Sequence, residues 1–280
     1  FLKSLGYDHA LLPPGIVVFA VMMLVSVLAS RELAALLHEK DIECSRRVTT
    51  ISAIVGVLVS CIIPGSWKGP TGAELVATAA VAVFVFALRF YSRNKTTQGV
   101  IAAAGGAVLA FVYLGLMFGF ILALRREHSA WVLLWVLLVI KSCDIGAFFT
   151  GKAVGRHKLI VWLSPGKTWE GLVGGIAMAA TVATAGLFVL RAASLIQTDA
   201  TDAAMVVMGV GTGIIFGLAG QGGDLMMSLF KRDAGVKDSG HVVPGMGGIL
   251  DVIDSPLLVA PIAFWWLRLL LGLVLILVLV

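Results

Sequence analysis

Long apolar runs alternate with short polar segments along the whole chain. About 20 consecutive apolar residues cross a bilayer as a helix. On that rule the pattern predicts spans at Leu11–Ala29, Thr49–Pro64, Gly72–Tyr91, Gly99–Leu124, Ser129–Phe149, Gly171–Leu190, Ala203–Gly220 and Ser255–Val280. Gly99–Leu124 is long enough to tilt or break at Gly115 or Gly119, and Arg268 interrupts the last run, so the count is about seven to nine. The fold class is all-α, a polytopic transmembrane helix bundle. Residues 1–128 carry N-terminal helices, and residues 129–280 carry the remaining helices with most of the polar loops. Together they form one membrane domain. Ala35–Arg47, with Glu39, Lys40, Asp41 and Glu43, reads as a solvated helical extension or connector without chemistry of its own.

Composition agrees with lipid as the solvent. Of 280 residues 59% are hydrophobic and 13% charged, with a mean hydropathy of +1.01, whereas a water-soluble domain mixes in far more charge. Cys44, Cys61 and Cys143 have no CxxC spacing and imply neither a disulfide framework nor a zinc site. The chain opens on Phe1 rather than Met, which leaves its natural start open, and no signal-peptide cleavage pattern follows Leu11–Ala29.

The formal charge of +5 matters through its distribution. Odd-numbered loops hold Arg31, Lys40, Arg46 and Arg47; then Arg89, Arg93 and Lys95; then Lys152, Arg156, Lys158 and Lys167; then Lys231, Arg232 and Lys237. Even-numbered loops hold Lys68, then Arg125 and Arg126, then Arg191. Positive charge stays cytoplasmic, so the odd loops face the cytoplasm. The loops of Lys167 and Lys237 are two spans apart and share a side under either count. Basic loops beside a bilayer suit anionic headgroups or a phosphate-bearing substrate, and no nucleic acid is expected.

Four clusters put ionisable residues where hydrophobicity would not. Each charge at membrane depth costs about 2.5–3.5 kcal/mol on insertion scales, so such groups face a cavity or a partner. Lys141 and Asp144 share a helical face, either as a self-neutralising pair or with Asp144 lining a polar pocket. The loop Gly151–Gly171 carries Gly155, Arg156, His157, Lys158, Ser164, Gly166, Lys167, Thr168 and Glu170, and Lys beside Ser or Thr can cradle phosphate oxygens. Gly166-Lys167-Thr168 is not a P-loop: the required upstream Gly is Val161, and no strand is expected before it. Gly222-Gly223-Asp224 leads to Ser228, Lys231 and Arg232; on a helix Asp224, Ser228 and Lys231 share one face. Lys237, Asp238, Ser239, Gly240 and His241 precede Pro244–Gly248, and Asp251 and Asp254 follow at the mouth of the last span. Oxygen-rich, thiolate-free clusters of this kind suit Mg²⁺. The bland alternatives are an ordinary helix end and a polar loop.

The stretch Ser228–Gly240, continuing through Pro244, Gly247, Gly248, Asp251 and Asp254, closely resembles the signature of phosphatidate cytidylyltransferases, the CDP-diacylglycerol synthases. Gly223-Asp224 fits the lead-in. Asp144, Ala147, Gly151, Gly155, Leu159, Ser164, Pro165, Lys167, Thr168, Glu170 and Gly171 fit a second pattern of the family in the right order. The resemblance covers about Asp144 to Ser255; the N-terminal half matches only as hydrophobic spans. It implies transfer of the cytidylyl group of CTP to phosphatidate, giving CDP-diacylglycerol and pyrophosphate with Mg²⁺, at the cytoplasmic side of a bacterial plasma membrane. On this resemblance Asp224, Lys237, Asp238 and Asp251 are the catalytic candidates. Asp224, Asp251, Asp254 and Asp144 are the metal ligands; Ser164, Lys167, Ser228, Lys231, Arg232, Gly247 and Gly248 bind substrate. A homodimer stays open. Met227, Met246 and Val252 stand where the family usually has Glu, His and Arg, which bears on proton handling and lipid-phosphate contact. The rival readings are a CTP-dependent polyprenyl or phytyl lipid kinase, which would release CDP, and a transporter, which would consume no nucleotide.

Overall fold

The computed structural model describes residues 15–62, 72–95, 97–245 and 247–279, the side chains of 61, 62, 94 and 271–279 excepted. Its helices are α1 (Ile16–His38), α2 (Arg46–Ile62), α3 (Gly72–Tyr91), α4 (Val100–Leu109), α5 (Met117–Glu127), α6 (Ala130–Val154), α7 (Trp169–Ala192), α8 (Asp202–Asp233) and α9 (Ile249–Leu279). Among the described residues seven helical stretches are long and apolar enough to cross a membrane, the continuous Val100–Glu127 counting as one. The chain is an integral membrane protein. Large apolar side chains such as Val17, Ile101 and Val207 point outward, where lipid takes the place of water.

The long fourth run does change geometry, though without a break. A π-helical segment, Ala110–Leu116, joins α4 to α5 and contains Gly115. The segment packs closely on α2. A Cβ on Gly56 would fall 2.6 Å from the Phe111 carbonyl oxygen and 2.7 Å from the Gly115 Cα, so the two backbones touch. Small residues permit this approach, which is how helices pack where no water drives them together. The same device seats α6 on α7, where a Cβ on Gly175 would meet the Cys143 carbonyl at 2.7 Å. The Trp135 indole N–H donates to the Ala183 carbonyl at 3.2 Å across this pair, and the Trp266 indole to Thr212 at 2.9 Å between α9 and α8.

Three expected boundaries shift, and each shift places chemistry. The helix expected over Ala203–Gly220 runs on to Asp233, 32 residues in all. At ~1.5 Å per residue it is about 48 Å long, well beyond a hydrocarbon core of roughly 30 Å. Its length therefore leaves room for its last turns, with Asp224, Ser228 and Lys231, to extend past the hydrocarbon. The final helix starts at Ile249 rather than Ser255, so Asp251 and Asp254 lie inside its first turns. The loop Gly151–Gly171 is partly ordered as an antiparallel hairpin, β1 (Lys158–Ile160) with β2 (Ser164–Thr168), against the expectation of no strand there. Ala35–Arg47 divides between the end of α1, a short connector and the start of α2.

One apolar core runs through both halves of the chain, from Ala29 to Leu270, and includes Met227 and Leu250. Lys68 and Met246 lie outside the described residues. Gly56→Ala should cost about 1–3 kcal/mol, because the clash is with backbone that cannot rotate away; thermal unfolding of the purified protein in detergent checks this.

Candidate active site

The ends of α6 and α8, the starts of α7 and α9, and the hairpin meet at one end of the bundle around a cavity of about 570 Å³. Its wall includes Asp144, Ser164, Lys167, Asp224, Asp251 and Asp254, residues spread over 111 positions of sequence. Lys141, Lys152, Thr168, Gln221 and Ser255 complete the polar lining.

The hairpin is held from below. Thr168 caps α7, its hydroxyl accepting from the Gly171 N–H at 3.1 Å. Two residues on, Glu170 accepts from the backbone N–H of Arg156 (3.1 Å) and of His157 (3.2 Å), and its carboxylate lies 2.5 Å from His157 Nδ1. A Cβ on Gly155 or Gly171 would sit within 3 Å of the Thr168 hydroxyl, so both positions are filled by the close approach of α6 to α7. The Arg232 guanidinium donates to the Leu163 carbonyl at 3.5 Å, tying the hairpin tip to α8. This framework delivers Lys167 to the cavity.

Lys167 and Asp224 face each other with Nζ 2.7 Å from Oδ2. The ammonium is nonetheless buried without an aligned hydrogen-bond partner among the described residues. At that distance the two groups form a close, largely buried ion pair. Asp144 accepts from Lys141 at 3.2 Å and from the Gln221 amide at 3.4 Å. Asp254, 5% exposed, accepts from the Ser255 N–H and hydroxyl. Asp224 lies near enough to both Asp144 and Asp254 for their charges to repel. No group of three carboxylate, imidazole or thiolate residues among the described residues is close enough to share one ion. What the wall offers instead is separate carboxylates on an open space, the arrangement Mg²⁺ takes when waters and substrate phosphates supply its other ligands.

Asp251 differs. One oxygen is 2.6 Å from Lys231 Nζ; the other accepts from the Ser239 N–H (2.8 Å), the Ser239 hydroxyl (2.9 Å) and the Gly248 N–H (2.9 Å). The side chains of the pair are 15% and 9% exposed. Gly247, at φ +91°, makes the turn before α9 that an L side chain resists, and a Cβ there would meet Asp251 at 2.7 Å. Gly247 and Gly248 therefore shape the bed of Asp251.

Of the remaining sequence candidates, Lys231 touches Asp251 from behind the cavity wall, and Ser228 and Arg232 also lie outside it. Lys237 and Asp238 are exposed on the loop before α9 and also stand outside the wall. Hydropathy left Gln221 and Glu32 unremarked. Glu32, on α1 just beyond the expected first span, reaches Ser239 and the start of α9.

The cytidylyltransferase family profile matches residues 6–270. A phosphatidate cytidylyltransferase of Haemophilus influenzae is 34% identical over 197 residues, 68% of this chain and 62% of that protein. An uncharacterized protein of Escherichia coli is 36% identical over 156 residues, 51% of this chain and 49% of its own length. A phosphatidate cytidylyltransferase of Staphylococcus aureus is 31% identical over 252 residues, 90% of both chains. The chain thus spans about half to two thirds of the first two relatives and nearly all of the third.

Removing one partner from a buried pair leaves a stranded charge, at a cost of about 3–5 kcal/mol. Lys231→Met should therefore destabilise the protein by about that much, and Lys237→Met by less than about 0.5 kcal/mol. Paired unfolding curves in detergent measure the contrast.

Proposed function

Because the chain belongs to the cytidylyltransferase family, we propose that it transfers the cytidylyl group of CTP to phosphatidate, forming CDP-diacylglycerol and pyrophosphate. The observation that carries this reading is the Lys167–Asp224 pair, Nζ 2.7 Å from Oδ2, in a cavity whose wall also carries Asp144, Asp251 and Asp254. A cation beside several carboxylates suits a polyphosphate bound together with a divalent metal.

In the reaction a phosphate oxygen of phosphatidate attacks the α-phosphorus of CTP. A new P–O bond forms as the bond to the bridging oxygen breaks, and pyrophosphate leaves with that electron pair. The attacking oxygen is already anionic near neutral pH, so positioning and charge neutralisation carry most of the work. Lys167 would hold triphosphate oxygens, with Ser164 and Thr168 beside it on the hairpin. Asp224 would hold Mg²⁺ together with Asp144 or Asp254, and the bound ion would supply positive charge against the triphosphate. Asp251 is already engaged by four donors and acts on this reading by fixing Lys231.

The cavity end of the bundle would face the cytoplasm. Lys40, Lys152, Arg156, Lys158, Arg232 and Lys237 all belong to segments at that end, and positive charge is retained inside. CTP would then arrive from water, and phosphatidate would present its headgroup at the depth of the hairpin.

Purified protein given CTP labelled at the α-phosphate, phosphatidate and Mg²⁺ should move label into the lipid phase with release of pyrophosphate. Label that transfers only from the γ-position would instead identify a lipid kinase. Asp224→Asn should lower the rate by about 10²–10³-fold, the scale for losing one electrostatic element of a site. Chelation of Mg²⁺ should abolish transfer; undiminished turnover in EDTA would overturn the metal assignment.

A further inference from the structure

Glu32 lies in the half of the chain that the motif resemblance leaves out, yet it is built into the motif. It is 7% exposed and sits on α1 beside Ala29, Leu33 and Ala34, all essentially buried. Its carboxylate accepts from the N–H groups of Ile249 and Leu250 at 2.9 Å each, and from the Ser239 hydroxyl at 3.1 Å. Gly240 and Gly248 make room for it: a Cβ at either position would fall within 2.8 Å of a Glu32 oxygen. Among the described residues no Lys, Arg or His forms an ion pair with it. Three neutral donors and the positive end of α9 alone offset the cost of burying this charge.

The Ser239 hydroxyl is the informative group. It lies within hydrogen-bond distance of both Glu32 and Asp251 but carries a single proton. Its orientation therefore couples the two carboxylates, and through Asp251 it reaches Lys231. Beyond capping α9, the Glu32 carboxylate thus reaches a hydroxyl that also contacts Asp251. Here α1 grips the first turn of α9 and the preceding loop at one point.

We infer that Glu32 is a positioning residue for nucleotidyl transfer, acting through Ser239 to set Asp251 and Lys231 at the edge of the cavity. The inference rests on the cytidylyl-transfer reading above. On this basis Glu32 influences the bound transition state more than the capture of CTP.

The test is a double-mutant cycle on purified protein, with kcat and the KM for CTP measured alongside thermal unfolding in detergent. Glu32→Gln and Ser239→Ala should each lower kcat about tenfold while changing KM less than about threefold. The double variant should lose no more than either single one, because both changes break the same link. Glu32→Asp keeps the charge and should recover part of kcat. Multiplicative losses, or Glu32→Gln with unchanged kcat, would overturn the inference. Should Glu32→Gln fail to fold, Ser239→Ala and Glu32→Asp decide: unchanged kcat in both overturns it. Wild-type protein that moves no label from CTP to phosphatidate would refute the reaction itself, a result separate from any effect of the variants.

Discussion

A charge at membrane depth must find a partner or open onto water, and this constraint organises the active end of the bundle. Lys167 meets Asp224, Lys231 meets Asp251, and Lys141 meets Asp144. The first pair joins the hairpin to α8 across the whole of α7, and the second joins α8 to the next helix, α9. α8 contributes an acid to one and a base to the other, seven residues apart, so a single helix registers both neighbours. Its extra length beyond the hydrocarbon core makes this geometry available.

The two pairs are not equivalent. Asp251 is saturated by Lys231, Ser239 and Gly248, which makes it a rigid node. Lys167 pairs with Asp224 on the cavity wall, with no further hydrogen bond among the described residues. Preorganised support beside an unsatisfied pocket is the usual division of labour where charge stabilisation dominates catalysis. The hairpin serves the same end, since its base is closed by Glu170 and its tip by Arg232.

The departures from the family signature also take on physical meaning. Met227 is fully buried in the common apolar core, beside neither Lys167 nor Asp251 in any hydrogen bond. An acidic side chain there would need a partner that this core does not offer, and a flexible thioether fills the space without one. Val252 sits next to Asp251 on α9 and is half-buried. Met246 lies outside the described residues.

The fold class, the membrane, most span positions and the family were legible in the chain itself, because helix length and hydropathy are local and the motif keeps its spacing. The individual candidates Asp144, Lys167, Asp224, Asp251 and Asp254 were legible for the same reason: ionisable groups stand out against apolar sequence. Which of them face one cavity, and which are already engaged, was decided only in three dimensions. Lys237 and Asp238 carry the motif as fully as Asp251 does, yet they stand exposed outside the cavity wall, whereas Asp251 enters it from the first turn of α9. Glu32 escaped notice because its donors are the backbone of a helix start more than 200 residues away. Hydrogen bonds to main chain leave no residue-type signal at the far end, so only tertiary packing could disclose them.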